Sequence, residues 1–166
     1  MKRAFLVLGA ESSGTRMVIS MFISAGCFGD FGHEQRIDSG VPDDEPCIVW
    51  RRSVPHRNEI PNIHRMILEL ERKDYEVTAV VTHRDWYAMA KSQVNAPHAA
   101  NGEIAIKQAK EAYRHIFDSI IDIDYVMVNY EMFQLQPESV NSFLYMLGLE
   151  KQTPILLYNG NEKYNV

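Results

Sequence analysis

The feature that most constrains the fold of this chain is an apolar segment, residues 5–8, that ends at a glycine and is followed by a helix pattern. The apolar segment is typical of a buried strand, and Gly9 breaks it into a short loop, residues 9–16, that is rich in hydroxyls. Beyond the loop, apolar residues recur at helical spacing through residues 17–25. In such a unit the first N–H groups of the helix and the positive end of its dipole converge on the loop. The sequence therefore predicts a binding site for a phosphate or sulfate group near the start of the chain.

Composition limits the partners that such a site could serve. A length of 166 residues, with 46% hydrophobic and 23% charged side chains, predicts one globular domain over residues 1–166. The net charge of −5 provides no general attraction to nucleic acid or to an anionic membrane, so we expect neither as a partner. No apolar run is long enough for a signal peptide or a membrane span. An anion site in this chain must therefore rest on local arginines.

The two cysteines bear on the cellular compartment. Cys27 and Cys47 lie 20 residues apart, with no CxxC motif and no Cys/His spacing typical of a zinc site. We predict that they are buried free thiols, as in a reducing compartment, and that they form neither a disulfide nor a metal site. The sequence accordingly predicts a cytoplasmic protein.

Strand and helix patterns alternate along the chain, which predicts an α/β fold. The expected fold is a three-layer sandwich in which helices cover both faces of a short parallel sheet. Two long loops, residues 28–45 and 95–103, interrupt the pattern, and long loops in compact domains are often functional. The predicted strands are residues 4–8, 47–50, 77–82 and 125–128, and the predicted helices are residues 15–25, 62–71, 86–94, 103–121 and 138–147.

Arginines follow most of the predicted strands. In an open parallel sheet, ligands bind at the carboxyl ends of the strands. Three of the four strand ends carry arginine, although the protein as a whole is acidic. This concentration of cations on one edge of the sheet indicates an anionic ligand. The arginines concerned are Arg16, Arg51, Arg52, Arg57 and Arg84.

The loop admits two enzymatic interpretations, of which the first is a nucleotide kinase or phosphatase. Gly9 and Gly14 have the glycine spacing of the P-loop motif GxxxxGK[ST]. That motif needs a lysine for the phosphates and then a hydroxyl for Mg²⁺, but these places hold Thr15 and Arg16. A kinase with a degraded loop remains an alternative, in which Asp85 or Glu131 would serve the metal.

The second interpretation comes from a resemblance. The core Ser13-Gly14-Thr15, between an apolar strand and an amphipathic helix, resembles the 5′-phosphosulfate-binding loop of sulfotransferases. These enzymes use 3′-phosphoadenosine 5′-phosphosulfate (PAPS). Their second signature is an arginine at the end of a strand and a serine eight positions later, which together hold the 3′-phosphate. Arg84 and Ser92 have this spacing here.

Two later segments are similar to the same family. Tyr130 and Glu131 resemble its Tyr-Glu pair, in which the tyrosine lies near the adenine, and residues 142–149 resemble its helix that ends in Phe-Leu-Gly-Leu. The resemblance implies a P-loop-like fold, a PAPS site that includes Tyr130, and transfer of sulfonate to a hydroxyl. It implies no metal cofactor.

The chain also departs from the family pattern. Ser12 stands where the family usually has a basic residue, and the resemblance leaves Arg16 or Arg51 to supply that charge. Ser53 stands where the cytosolic branch has its catalytic histidine, so His56 is the nearest candidate base. The C-terminal Arg-Lys-Gly segment of that branch is missing, and Lys163 is a candidate substitute.

The resemblance implies a role for each residue of the loop region. Backbone and hydroxyl groups of Ser12, Ser13, Gly14 and Thr15 would cradle the 5′-phosphosulfate. The resemblance does not fix the role of Glu11 beside them: it could act as base or cap the helix dipole, and a structural or substrate-orienting role is the one we favour. The acceptor stays open among a sugar, a lipid, a peptide tyrosine and a small alcohol. A partner protein or a homodimer could complete its pocket. A third alternative is a binding module that retains the nucleotide site without catalysis.

Overall fold

The computed structural model describes residues 1–30, 36–56, 59–153 and 161 of the chain. Four strands alternate with helices, as predicted. The strands are β1 (Lys2–Ala10), β2 (Cys47–Val54), β3 (Tyr75–His83) and β4 (Asp124–Asn129). The helices are α1 (Thr15–Ser24), α2 (Ile63–Glu71), α3 (Trp86–Asn95), α4 (Gly102–Ser119), α5 (Tyr130–Leu135) and α6 (Ser139–Met146), and a 3₁₀ helix covers Arg36–Ser39.

The four strands form one parallel sheet in the order β2-β1-β3-β4. Successive side chains of a strand point to opposite faces, and β1 shows this clearly. Phe5 and Val7 pack in a cluster with α1, α5 and α6, whereas Leu6 and Leu8 pack in a second cluster with α2, α3 and α4. The prediction of an α/β fold with helices on both faces of a parallel sheet is confirmed.

Helix α2 illustrates why local sequence predicted the helices well. Its apolar residues recur at positions i, i+3, i+4 and i+7, and all four are buried against the sheet. Burial of each such side chain contributes about 1.5–3 kcal/mol. The Asn62 side chain accepts a hydrogen bond from the Arg65 backbone N–H at 2.9 Å, which caps the first turn. The buried residues are Ile63, Met66, Ile67 and Leu70.

Strand β2 is longer than predicted, and this changes where its arginines lie. The strand continues to Val54 because β1 provides pairing partners as far as Ala10. Arg51 and Arg52 are therefore strand residues rather than loop residues, and alternation sends them to opposite faces of the sheet. Arg51 lies beside α1, whereas Arg52 forms an ion pair with Asp38 on the other face.

The cysteine prediction is wrong, because Cys27 and Cys47 form a disulfide. The residue after Cys27 lies along the start of β2, where the Phe28 backbone N–H donates to the Cys47 carbonyl at 2.9 Å. This pairing brings the two Cα atoms to 4.8 Å, within the range that a disulfide requires. No local pattern predicts a contact between residues 20 apart in sequence.

Two further observations complete the fold. The structure forms the short helix α5 directly after β4, in a segment for which the sequence predicted no helix.

None of the helices in the described ranges combines the length and apolarity that a membrane span requires.

Candidate active site

The loop between β1 and α1 has a backbone shape that glycine makes possible. Ser12 and Gly14 both adopt left-handed conformations, with φ of 66° and 97°. Between them, the Ser13 backbone N–H donates to the Ala10 carbonyl at 3.0 Å and closes the turn. A Cβ atom on Gly14 would overlap with the ring of Tyr130. Position 14 therefore requires glycine for both its backbone angle and its close packing.

A buried pair of hydroxyls fixes the loop to the sheet. The Ser13 hydroxyl lies 2.7 Å from the Thr82 hydroxyl. The Thr82 hydroxyl in turn donates to the Leu8 carbonyl at 3.1 Å. A Cβ atom on Gly9 would overlap with both hydroxyls, so Gly9 leaves the space that this contact needs. Ser13 was predicted to cradle a ligand, but its side chain and its backbone N–H both bond within the protein. The side chain of Ser13 therefore holds the loop against β3 and does not line the cavity above the loop.

Helix α1 begins directly at this loop. Gly14 is its N-cap and provides no side-chain cap, and the first backbone N–H groups of the helix are directed at the loop. Thr15 is buried, and its hydroxyl lies 3.5 Å from Arg51 Nη1. This end of α1 therefore combines the N-terminal N–H groups of a helix, the positive end of its dipole and a cation.

A cavity of about 620 Å³ opens over the loop and the first turn of α1. It brings together every predicted binding residue except Ser13, although these residues come from four separate parts of the chain. The predicted residues that line it are Glu11, Ser12, Gly14, Thr15, Arg16, Arg51, Arg84, Ser92 and Tyr130. The sequence had assigned no role in binding to the other lining residues, which are Met17, Ser20, Ser53 and His98.

Arg51 brings an uncommon buried cation to the cavity. Only 3% of the residue is exposed. Burial first, and then the positive charges of Arg16 and Arg52, lower the pKa of Arg51 from its ordinary value to about 10. Two guanidinium groups, Arg16 and Arg51, thus line one cavity, and an anion between them would relieve their repulsion.

Arg84 lies directly after β3, and several contacts hold its guanidinium at the edge of the loop. Its Nη1 donates to the Ser12 carbonyl at 3.1 Å, and its Nε donates to Asn161 Oδ1 at 2.7 Å. The guanidinium also lies over the Tyr130 ring, 4.8 Å from the ring centroid. The Asn161 amide in turn donates to Glu131 Oε1 at 2.7 Å. Sequence reasoning missed Asn161, because no local pattern links it to an arginine 77 residues earlier.

Helix α3 brings Ser92 to the cavity that Arg84 lines. The Asp85 side chain accepts from the Ala88 backbone N–H at 2.8 Å and so caps α3 at the end of β3. Glu131 accepts from the Asp85 backbone N–H at 3.1 Å. Asp85 and Glu131, which the kinase alternative assigned to a metal, thus both accept backbone hydrogen bonds here. The described part of the chain contains no group of three or more potential metal ligands.

His56, the predicted base, does not line this cavity. It lines a second cavity of about 870 Å³ that it shares with Arg52 on the opposite face of β2. Its Nδ1 lies 3.3 Å from the Ser53 hydroxyl, and Ser53 lines the first cavity. Ser53 therefore lies between His56 and the first cavity. Arg57 and Lys163, also considered from the sequence, lie outside the described residues.

Glu11 and His98 form a pair in the first cavity that the sequence did not predict. His98 Nε2 lies 3.4 Å from Glu11 Oε1. Burial raises the pKa of the Glu11 carboxyl, and the nearby His98 acts in the opposite direction. Because His98 lies in the loop between α3 and α4, only the packing of that loop brings it to Glu11. We know of no sequence signal that would have distinguished it from the other histidines.

Comparisons with known proteins add no family to this description. No protein-family model matches the chain, and a search of curated proteins finds no similar sequence.

Proposed function

We propose that this protein is a sulfotransferase that moves a sulfonate group from PAPS to a hydroxyl acceptor. The observation that carries the proposal is that three residues of the loop, Ser12, Gly14 and Thr15, line one cavity with Arg84 and Ser92. The sequence resemblance assigns the loop to the 5′-phosphosulfate and the Arg84–Ser92 pair to the 3′-phosphate. Two anion-binding elements at one cavity suit a nucleotide that carries an anionic group at each end.

The chemistry of the lining supports a doubly anionic ligand. Arg16, Arg51 and Arg84 place three cations around the cavity, whereas Glu11 is its one carboxylate among the described lining residues. Guanidinium groups suit phosphate and sulfate because a planar fork can grip two oxygens. The volume of about 620 Å³ lies within the range of small-molecule sites, about 300–1,000 Å³. The residues present therefore fit the nucleotide.

Each residue has a role that follows from its place. Backbone N–H groups at the start of α1 would bind the 5′ end, and Tyr130 would lie beside the adenine. Arg16 and Arg51 would stabilise the charge that develops on the bridging oxygen, in place of the missing basic residue at Ser12. When bound, PAPS supplies a sulfonate on a phosphate leaving group. The proposal assigns no metal and takes the acceptor as a small-molecule or glycan hydroxyl.

The contacts of Arg84 demand a test that separates two roles. Because Arg84 bonds to the Ser12 carbonyl, its loss could weaken binding simply by loosening the loop. We therefore propose calorimetry with two probes, adenosine 3′,5′-bisphosphate and 5′-AMP, which differ only in the 3′-phosphate. The wild-type protein should bind the bisphosphate more tightly. Arg84→Ala should weaken bisphosphate binding by about 10–100-fold, the value of one or two charge-assisted hydrogen bonds.

The outcomes distinguish the roles. If Arg84 grips the 3′-phosphate, Arg84→Ala removes most of the preference for the bisphosphate over 5′-AMP. An equal loss for both probes would mean that Arg84 only orders the loop. Arg114→Ala, at an exposed position on α4, is the matched control and should bind both probes like the wild type. Absence of bisphosphate binding to the wild-type protein would refute the proposed function.

Two departures from the family pattern favour a second candidate, a nucleotide-binding module without catalysis. Ser12 and Ser53 replace the basic residue and the histidine of the resembling enzymes. This candidate predicts bisphosphate binding without turnover. Transfer of labelled sulfonate from PAPS to any member of an acceptor panel would eliminate it.

A further inference from the structure

We propose that His98, held by Glu11, takes the proton from the acceptor hydroxyl. This inference rests on the proposed function and assigns the base that the sequence could not identify. Its starting point is that Glu11 and His98 form a pair at the loop cavity, whereas His56 lies beyond Ser53.

The position of Glu11 is set by its backbone. Its N–H donates to the Val54 carbonyl at 3.2 Å, and its carbonyl accepts from Gln93 Nε2 at 2.8 Å. Gln93 is itself buried, so the contact ties the loop to α3. The carboxylate thus projects from a backbone that is held on two sides, which makes Glu11 a suitable positioning residue for a histidine on a loop.

His98 has the access that a base for a variable acceptor needs. Its side chain is 38% exposed, against 20% for Glu11, so the ring borders both the cavity and solvent. Because Nε2 faces the carboxylate, Nδ1 is the nitrogen left to accept a proton. A neutral imidazole with one nitrogen beside a carboxylate is a common arrangement for a general base. The charged groups that line the same cavity are Glu11, Arg16, Arg51 and Arg84.

The proposed step balances as follows. The acceptor oxygen forms a bond to the sulfur of PAPS, and the bond between that sulfur and the bridging phosphate oxygen breaks. The hydroxyl proton passes to His98 Nδ1, and the electron pair of the broken bond stays on the phosphate of adenosine 3′,5′-bisphosphate. Arg16 and Arg51 would face this new charge. His98 then releases its proton to solvent, which its exposure permits.

The first measurement tests the pair without relying on activity. Glutamate carboxyl carbons are followed by NMR through a pH titration of the wild type, His98→Gln and His64→Gln. His64 is an exposed histidine on α2 and serves as the matched control. Because His98 lowers the pKa of Glu11, His98→Gln should move the Glu11 titration to higher pH, and His64→Gln should leave it unchanged. No movement in His98→Gln would refute the pairing.

The second measurement compares binding with turnover, with 4-nitrophenol and water as acceptor probes for PAPS. His98→Gln should bind adenosine 3′,5′-bisphosphate within about threefold of the wild type but lose about 10²–10⁴-fold in turnover, the usual contribution of a general base. Glu11→Gln should lose less, because it only positions the ring.

Each outcome bears on one claim. A wild-type protein that does not bind the bisphosphate refutes the proposed function itself. Binding with unchanged turnover in His98→Gln refutes this inference alone, as does a larger loss in His56→Gln or Glu11→Gln than in His98→Gln. Binding without any wild-type turnover also overturns it and favours the non-catalytic module.

Discussion

Replacement of Arg51 by methionine should make the protein more stable and, at the same time, remove ligand binding. The pKa of Arg51 falls from its ordinary value to about 10, mainly because the group is buried. At about 1.4 kcal/mol for each tenfold change, this corresponds to a cost of about 3 kcal/mol for keeping the side chain charged in the folded state. Since the folded-state pKa lies below the unfolded value, the full cost is present below about pH 10 and declines only as the pH rises beyond it.

Methionine has a similar length and no charge, so Arg51→Met should recover part of this free energy at pH 7. Loss of the contact with Thr15 and of the attraction to Asp30 and Asp38 offsets some of the gain, and we expect a net increase in the free energy of unfolding of about 1–3 kcal/mol. The measurement is the midpoint of urea unfolding, with the slope m checked for constancy.

Arg52→Met is the matched control, because the neighbouring residue points to the opposite face. Arg52 forms an ion pair with Asp38 and lies over the Trp50 ring, so its replacement should destabilise the protein by about 1 kcal/mol. Adenosine 3′,5′-bisphosphate at about 100 times its dissociation constant should stabilise the wild type and Arg52→Met by about 2.7 kcal/mol. Arg51→Met should lose this response.

Two results would contradict the reasoning. If Arg51→Met is less stable than the wild type by more than about 1 kcal/mol, the buried charge is compensated within the protein. If the bisphosphate stabilises Arg51→Met as much as the wild type, Arg51 takes no part in the anion site.

Three further predictions test other parts of the site. Gly9→Ala should destabilise the protein by about 2–4 kcal/mol, since its Cβ would overlap with the Ser13 and Thr82 hydroxyls; Gly102→Ala, which meets open space, is the control for the same urea measurement. Burial raises the pKa of Glu11 in the folded protein above its value in the unfolded chain. The stability that the protonated carboxyl contributes at low pH is therefore lost as the pH rises above the ordinary pKa of a glutamate. The stability of Glu11→Gln relative to the wild type should therefore increase between about pH 4 and pH 7, and equal pH profiles would contradict this. Asn161→Ala removes the acceptor of the Arg84 Nε–H, and calorimetry should show a reduced preference for the bisphosphate over 5′-AMP; an unchanged preference would mean that Arg84 keeps its position without Asn161.

Local sequence patterns determined most of the secondary structure. Buried strands and amphipathic helices follow from residues close together in the chain, and β1, the loop after it and α1 come from one short segment. The spacing of Arg84 and Ser92 is also local. Arg84 directly follows β3 and Ser92 lies on α3, the next element of the chain. These features could be predicted because short-range backbone preferences and apolar periodicity set them.

The tertiary structure decided the features that depend on distant contacts. The length of β2, set by its pairing with β1, placed Arg51 in the cavity and Arg52 outside it. The packing of the loop after α3 brought His98 to Glu11, and Asn161 lies against Arg84 although the two are 77 positions apart in sequence. The sequence alone thus determined most of the elements and the loop between β1 and α1, whereas the identities of the buried cation and the histidine in the cavity emerged only from the assembled sheet. The physical reason is that a side chain's face and its partners depend on which strands and loops pack together, and residue order within one segment does not encode this.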